Sequence, residues 1–419
     1  MQQNDRIKRI TEDTLVVGID IGSVTHYARA FNFRGVELGK VQRFSNDAEG
    51  YAILHRWIIE IQDKNNKDDC IVGMEPTGHY WFCLANYLEK NKYQIAIVNP
   101  FHVKRSKEFD DNSPTKNDRK DPKVIAGLVN AGRYTKPYMP KGVYKDLRTV
   151  VTLRNRYKDK QKMIKNSVQR WLSIFFPEFK EVFKLWEQDM SLTILKNYPL
   201  PEMLINAGRD AIVATIIEVL GQCHSIKKVD MLLEYADISI GVSDGKYGAH
   251  LEIVGLLDEY ELYTDKINQT DKLIEKLLDQ IPNASMLLSI KGLGKFTAAS
   301  FIASVGDIQR FAHPNQIKKL LGLDPVETSS GFHQSKFRIS KRGRTDGRTA
   351  LFKAAIPMLK HNDEFKQIHE YYTTREHNPL KKMQSVIAIC CKMIRVFYAI
   401  LKKGEQYDSQ RLLNDIIRK

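Results

Sequence analysis

Residues 145–176, KDLRTVVTLRNRYKDKQKMIKNSVQRWLSIFF, contain no proline and no glycine. Strands rarely exceed about ten residues, so an unbroken stretch of helix formers of this length reads as one long helix. Leu147, Val150, Val151, Leu153, Tyr157, Met163, Ile164 and Val168 suit an apolar stripe along it. Between positions 148 and 170, Arg148, Arg154, Arg156, Lys158, Lys160, Lys162, Lys165 and Arg170 stand against Asp159 alone, giving a cationic opposite side. A second long helix is expected over Leu251–Gln280, spaced to pair with the first as a coiled coil. The stretch between them, roughly 180–250, reads as a mostly helical insertion without a motif. Residues 145–283 are therefore expected to form a helical coiled-coil and oligomerisation region, and residues 284–405 an all-helical C-terminal domain interrupted by one loop.

The chain begins differently. LVVGIDIG is a short apolar run closed by glycine, followed by HYARAFNF, a turn at Arg34-Gly35, and VELGKVQRFS; these read as a buried strand beside two hairpin-linked ones. Residues 46–62 place Tyr51, Ile53, Leu54, Trp57, Ile58 and Ile61 on one helical face, with Asp47 near the start to suit the dipole. A strand CIVGMEP, a helix WFCLANYLEKN and a strand YQIAIVNP follow. The order predicts an α/β domain over residues 12–135 with a mixed sheet flanked by helices, as in ribonuclease H-like folds.

Composition narrows the function classes. Hydrophobic residues make up 42% of the 419 residues, which excludes general disorder. Lys and Arg total 65 against 50 acidic residues, a formal charge of +15 that favours a polyanionic partner. The five cysteines, Cys70, Cys83, Cys223, Cys390 and Cys391, show no C-x-x-C spacing, arguing against a disulfide framework or a cysteine zinc site. The N-terminus lacks the apolar core of a signal peptide, and no segment reads as the roughly 18 uncharged apolar residues of a membrane span. A soluble protein of a reducing cytosol is expected, with no membrane partner.

Three constellations carry chemistry. Asp20 ends the strand in VVGIDIGS, Glu75 ends another in IVGMEPTG, and Asp118 and Asp121 follow in PTKNDRKDP. Acids from separate segments meeting at one end of a sheet supply the oxygen ligands and negative charge that two magnesium ions need. Taken singly, each acid is better read as a strand end, turn or cap; the ordered set favours a site. Pro122 cannot sit inside a helix running through both aspartates, so Asp121 is expected at the start of a helix opening at Pro122. Second, IKGLGKFTAASFI matches a helix-hairpin-helix pattern in which Gly292 and Gly294 permit a tight turn, with Lys295 beside it, whose free amides bind phosphate; a simple αα corner is the plain alternative. Third, Ser329 and Ser330 lie in a polar loop ahead of Lys336, Arg338, Lys341, Arg342, Arg344, Arg348 and Lys353. A serine beside glycine is usually a turn residue; in this cationic setting it becomes a candidate nucleophile at phosphorus. His26, His79 and His333 lie near these motifs as positioning groups at most.

In this order, GIDIGS, GMEPTGHYW, PTKNDRKDPKVIAGL, LRNRYKDKQKMIKNSVQRWLSIFFPEF, IKGLGKFTAASFIASVGDIQRF, LGLDPVETSSG and RISKRG resemble the DEDD transposases of the insertion-sequence 110 family over most of the chain except roughly 180–250. The resemblance implies a RuvC-like domain whose metal-binding catalytic acids correspond to Asp20, Glu75, Asp118 and Asp121, with Mg2+ as cofactor and Mn2+ as a substitute. It implies a coiled-coil middle and a C-terminal transposase domain whose nucleophile is Ser330, with Ser329 competing. It further implies a bridge RNA that pairs with donor and target DNA, and a homo-oligomer, from dimer to tetramer, in which the acids of one protomer work with the serine of another. A bacterial cytoplasmic, nucleoid-associated enzyme follows. Asn117 stands where the family generally has threonine, and Pro122 where it generally has alanine. The rival readings are a RuvC-like structure-specific nuclease, an actin- or sugar-kinase-like ATPase, which VVGIDIGS also resembles, and a nucleic-acid-binding protein without catalysis.

Overall fold

The computed structural model describes residues 3–76, 78–110, 121–326, 329–330, 333–334 and 338–417. The chain divides into two units, Met1–Met139 and Pro140–Lys419.

In the first unit, a short helix α1 (Gln3–Lys8) leads into β1 (Thr14–Ile21), β2 (Thr25–Phe31) and β3 (Gln42–Ser45), then α2 (Ala48–Lys64), β4 (Asp69–Met74), α3 (Trp81–Lys90), β5 (Gln94–Val98), α4 (Pro100–Asp110), α5 (Asp121–Asn130) and β6 (Tyr134–Thr135). The strands form one mixed sheet in the order β3-β2-β1-β4-β5-β6. β1, β4 and β5 are parallel, and β2, β3 and β6 add antiparallel edges. β1 is central and covered on both faces, which is why its sequence is a continuous apolar run rather than an alternation. Leu15, Val17 and Ile19 pack with Leu54 and Ile58 of α2 and Leu84 and Leu88 of α3. On the opposite face, Val16 and Ile71 meet Ile125 and Val129 of α5. Asp47 caps α2, its carboxylate accepting from the Gly50 N–H at 2.8 Å, which holds its pKa below the usual carboxylate range.

The second unit is mostly helical. The Pro/Gly-free run is a single helix, α6 (Val143–Phe175), and α7 (Phe179–Val182), α8 (Asp189–Asn197), α9 (Pro201–Leu220) and α10 (Ile226–Asp237) follow before α11 (Lys246–Asp279). α6 and α11 pair antiparallel: Gln161 donates to Thr264 Oγ1 at 2.8 Å, and the Trp171 indole N–H donates to the Ala249 carbonyl at 2.9 Å. At the far end of that pair, α7 to α10 enclose their own core with Trp171, Phe176, Phe179, Ile212 and Leu232 at its centre. At the near end lies the larger core, built from α12 (Lys295–Val305), α13 (Pro314–Leu320), α14 (Thr345–His361), α15 (Asp363–Thr374), α16 (Lys382–Lys403) and α17 (Ser409–Ile417). Two small hairpins interrupt the helices: β7 (Pro325–Val326) pairs with β10 (Arg338–Ile339), and β8 (Ser329–Ser330) with β9 (His333–Gln334).

α16 is long and apolar enough to cross a membrane by length and composition, yet Lys392 and Arg395 interrupt its apolar run. Its apolar residues, Ile389, Met393, Phe397 and Ile400 among them, are buried in the helical core, so the apolar run serves packing.

Candidate active site

β1 and β4 run parallel in a register that sets Gly18 beside Gly73 and Ile19 beside Met74. Asp20 and Glu75, the next residues along, therefore emerge abreast at the carboxyl end of two adjacent strands, and both are half-buried. Strand alternation directs both toward the face covered by α5. That helix begins at Asp121, with Pro122 in the first turn, where a missing N–H is tolerated. It lies unusually low on the sheet: a β-carbon at Gly18 would sit 1.9 Å from the Pro122 carbonyl oxygen, and one at Gly73 would sit 2.6 Å from Val129 Cγ2. Because Pro122 rests over Gly18, the start of α5 and its Asp121 lie at the end of the sheet from which Asp20 and Glu75 project.

The two glycines are positioning residues that motif reading passed over. The signal was present, since Gly18-Ile19-Asp20 and Gly73-Met74-Glu75 repeat one pattern, a glycine under the helix followed two residues later by an acid.

Asp118 lies outside the described residues. Among the described residues no group of three or more His, Cys, Asp or Glu side chains is arranged to hold a metal ion. The donor chemistry of Asp20, Glu75 and Asp121, hard carboxylate oxygens at half-buried positions, suits a divalent cation such as magnesium. His26 is fully buried against Phe44 at a ring separation of 5.1 Å, and its Nδ1 accepts from the Gly22 N–H at 3.2 Å. It thus fixes the turn directly after Asp20, and burial pushes its pKa down. His79 is exposed and lies against Tyr80 at 4.2 Å.

In the second unit, Ser329 and Ser330 form β8, lying opposite Gln334 and His333 respectively in the antiparallel ladder. Lys336 lies outside the described residues. Arg338, Lys341 and Arg342 are exposed around the base of the loop. Arg344 is half-buried, and Arg348 donates to the Leu321 carbonyl at 3.0 Å, bracing the loop against the end of α13. Lys353 is exposed on α14.

The glycine turn also differs in detail from the sequence pattern. Gly292 takes a φ of +89° and Gly294 is the N-cap of α12, but the element before the turn is one 3-10 turn, Ser285–Ser289, rather than a full helix. The exposed Lys295 is engaged by Glu275 at 3.0 Å.

The cationic side of α6 divides into two sets. The Arg154 guanidinium pairs with both oxygens of Asp271 on α11 and lies 3.7 Å from the Phe296 ring centroid. Lys160 donates to the Tyr263 hydroxyl at 3.0 Å, Lys165 pairs with Glu187 at 2.6 Å and Arg170 with Glu252 at 2.6 Å. Arg156 and Lys162 are exposed, with no ion-pair partner among the described residues.

Two family models match the chain. One, a DEDD model of the IS110 type described as a transposase, covers residues 17–177; the other, described as a transposase of the IS116/IS110/IS902 family, covers residues 284–372. Among curated relatives, the pilin gene-inverting protein of Moraxella bovis is 21% identical over 374 residues, spanning 88% of this chain and 90% of that protein. An IS116 protein of Streptomyces clavuligerus is 20% identical across 93% of this chain and 95% of its own. The transposase of element IS1111A from Coxiella burnetii is 31% identical over 154 residues, 35% of this chain and 42% of that one. Both family models and the Coxiella burnetii relative are described as transposases, enzymes that recombine DNA. The chain belongs to the IS110 family of transposases.

Proposed function

We propose that this transposase cleaves and exchanges DNA strands with a carboxylate site made by Asp20, Glu75, Asp118 and Asp121 and a serine nucleophile, Ser330, on a RuvC-like N-terminal domain and a helical C-terminal one. The observation that carries the reading is the β1–β4 register, which sets Asp20 and Glu75 abreast at one end of the sheet under the start of the helix that bears Asp121.

DEDD transposases generally use divalent metal ions; here Asp20, Glu75, Asp118 and Asp121 would hold magnesium, and its chemistry is stabilisation of negative charge on the reacting phosphate. The chain's own residues do the rest. His26 and the Gly18–Pro122 contact fix the carboxylates. Arg338, Lys341 and Arg342 draw the DNA backbone to the serine loop. The serine oxygen attacks phosphorus, forming an O–P ester as the bond to the sugar oxygen breaks; the proton lost from the hydroxyl balances the one the leaving oxygen takes up. Phosphodiester bonds are conserved, so the same step in reverse rejoins exchanged strands.

The relative named for inverting a pilin gene favours strand exchange over simple cutting, as against a structure-specific nuclease. The family resemblance extends the reading to a bridge RNA guide, an oligomer that pairs acids and serine from different protomers, and nucleoid association. The test is to recover RNA bound to the protein in its native host, then combine protein, that RNA, magnesium and DNA carrying the element ends. Recombined product is expected; ATP turnover without DNA cleavage would favour the kinase-like rival.

A further inference from the structure

At the base of the serine loop, α13, α15, α16 and the β7/β10 clasp enclose a groove of about 920 Å³, within the size range of small-molecule sites. Its floor is apolar and includes Leu323, Tyr372, Ile387 and Ala388. Its open edge carries Arg338, Lys341 and Arg395, all exposed and without an ion-pair partner among the described residues. Beyond Arg338 and Lys341, which the mechanism above already places on the DNA backbone, the groove has no part in that mechanism.

An apolar floor with one aromatic side and an unneutralised cationic rim matches a ligand that is flat and apolar at one end and anionic at the other. A nucleotide in a single strand has that chemistry: its base stacks or packs against the floor, and its phosphates meet the rim. Position supports it. Val326 lines up in the clasp with Arg338, and Ser330 is four residues further along the chain, within roughly 14 Å of it at full extension. That is the reach of a few nucleotides from a phosphate held at the serine. Taking a base out of the duplex stack costs a few kcal/mol, and a pocket for the freed base offsets it.

We infer that this groove receives an unstacked base of the DNA strand, close to the phosphate cut by the serine. The inference rests on the recombinase reading and adds a base-binding subsite to it. An acidic amphipathic peptide is the other ligand the same rim would draw.

The test uses the full-length protein and two fluorescent single strands of about twelve nucleotides, oligothymidylate and an abasic chain of the same length, followed by anisotropy. Wild-type protein is expected to bind the base-bearing strand about 5- to 100-fold more tightly. Ala388→Trp, which fills the floor, is expected to remove that preference while leaving abasic affinity unchanged. Tyr372→Leu, which keeps apolar bulk but loses the flat ring, is expected to reduce it. Arg395→Gln on the exposed rim is expected to weaken both strands equally. Equal binding of both strands by wild type, or equal loss of both in Ala388→Trp, overturns the subsite and leaves the recombinase reading standing. Failure to bind either strand overturns both. Oligoglutamate that displaces oligothymidylate from wild type but not from Ala388→Trp reassigns the groove to a peptide.

Discussion

Gly18 lies directly beneath the carbonyl of Pro122, with no room for a β-carbon between the strand and the helix. The contact joins the strand that carries Asp20 near its end to the helix that begins with Asp121, so the spacing of the two acids depends on a residue that carries no chemistry.

Gly18→Ala is expected to push α5 off the sheet, costing about 1–3 kcal/mol as overpacking does. DNA cleavage should fall further than stability predicts, because Asp121 moves with the helix. Thermal unfolding together with a cleavage assay separates the two effects; a variant with full cleavage would show that the helix start does not set the site.

Asp20→Asn and Glu75→Gln are expected to leave folding intact and abolish cleavage, since each removes a negative ligand oxygen from the same sheet end. Measuring cleavage across a magnesium titration checks this. Full activity in both variants rejects the carboxylate site.

Ser330→Ala is expected to eliminate a covalent protein–DNA adduct on a denaturing gel while leaving complex assembly nearly unchanged. An adduct that survives there and disappears in Ser329→Ala moves the nucleophile by one residue.

The two sets of cations on α6 should respond differently. Arg154→Ala breaks the pair with Asp271 and the contact with Phe296, and about 1–3 kcal/mol of stability should go with it. Arg156→Ala and Lys162→Ala should spare stability and each lower the salt slope of nucleic-acid binding by about one phosphate contact. Binding measured against salt concentration, beside a melting curve, distinguishes them.

Acid should weaken the first unit through His26. Its folded pKa is depressed by burial, so the unfolded chain binds the proton more readily; stability is full above the unfolded value near about 6.5 and declines as pH falls below it. His26→Phe is expected to flatten that part of the stability curve, read by denaturant unfolding at several pH values.

What the sequence disclosed was local. The absence of proline and glycine from 145–176 predicts one helix, and the apolar runs ending at Asp20 and Glu75 place those acids at strand ends. The antiparallel pairing of α6 and α11 was open, because the contacts of Trp171 with Ala249 and of Arg154 with Asp271 join residues 78 and 117 positions apart. For the same reason the cations of α6 read as one binding face although several are engaged by partners from elsewhere in the chain. α16 shows the reverse: its composition alone also suits a bilayer, and only the surrounding helices show where its side chains go.

Because α6 and α11 run in opposite directions, α7 to α10 close off the far end of their hairpin, and the two family models stop at residue 177 and resume at residue 284. That end cap can be lengthened, shortened or exchanged during evolution without altering the points where the hairpin enters and leaves the larger helical core. The cap made by α7 to α10 is thus the part of the molecule most free to diversify between related mobile elements.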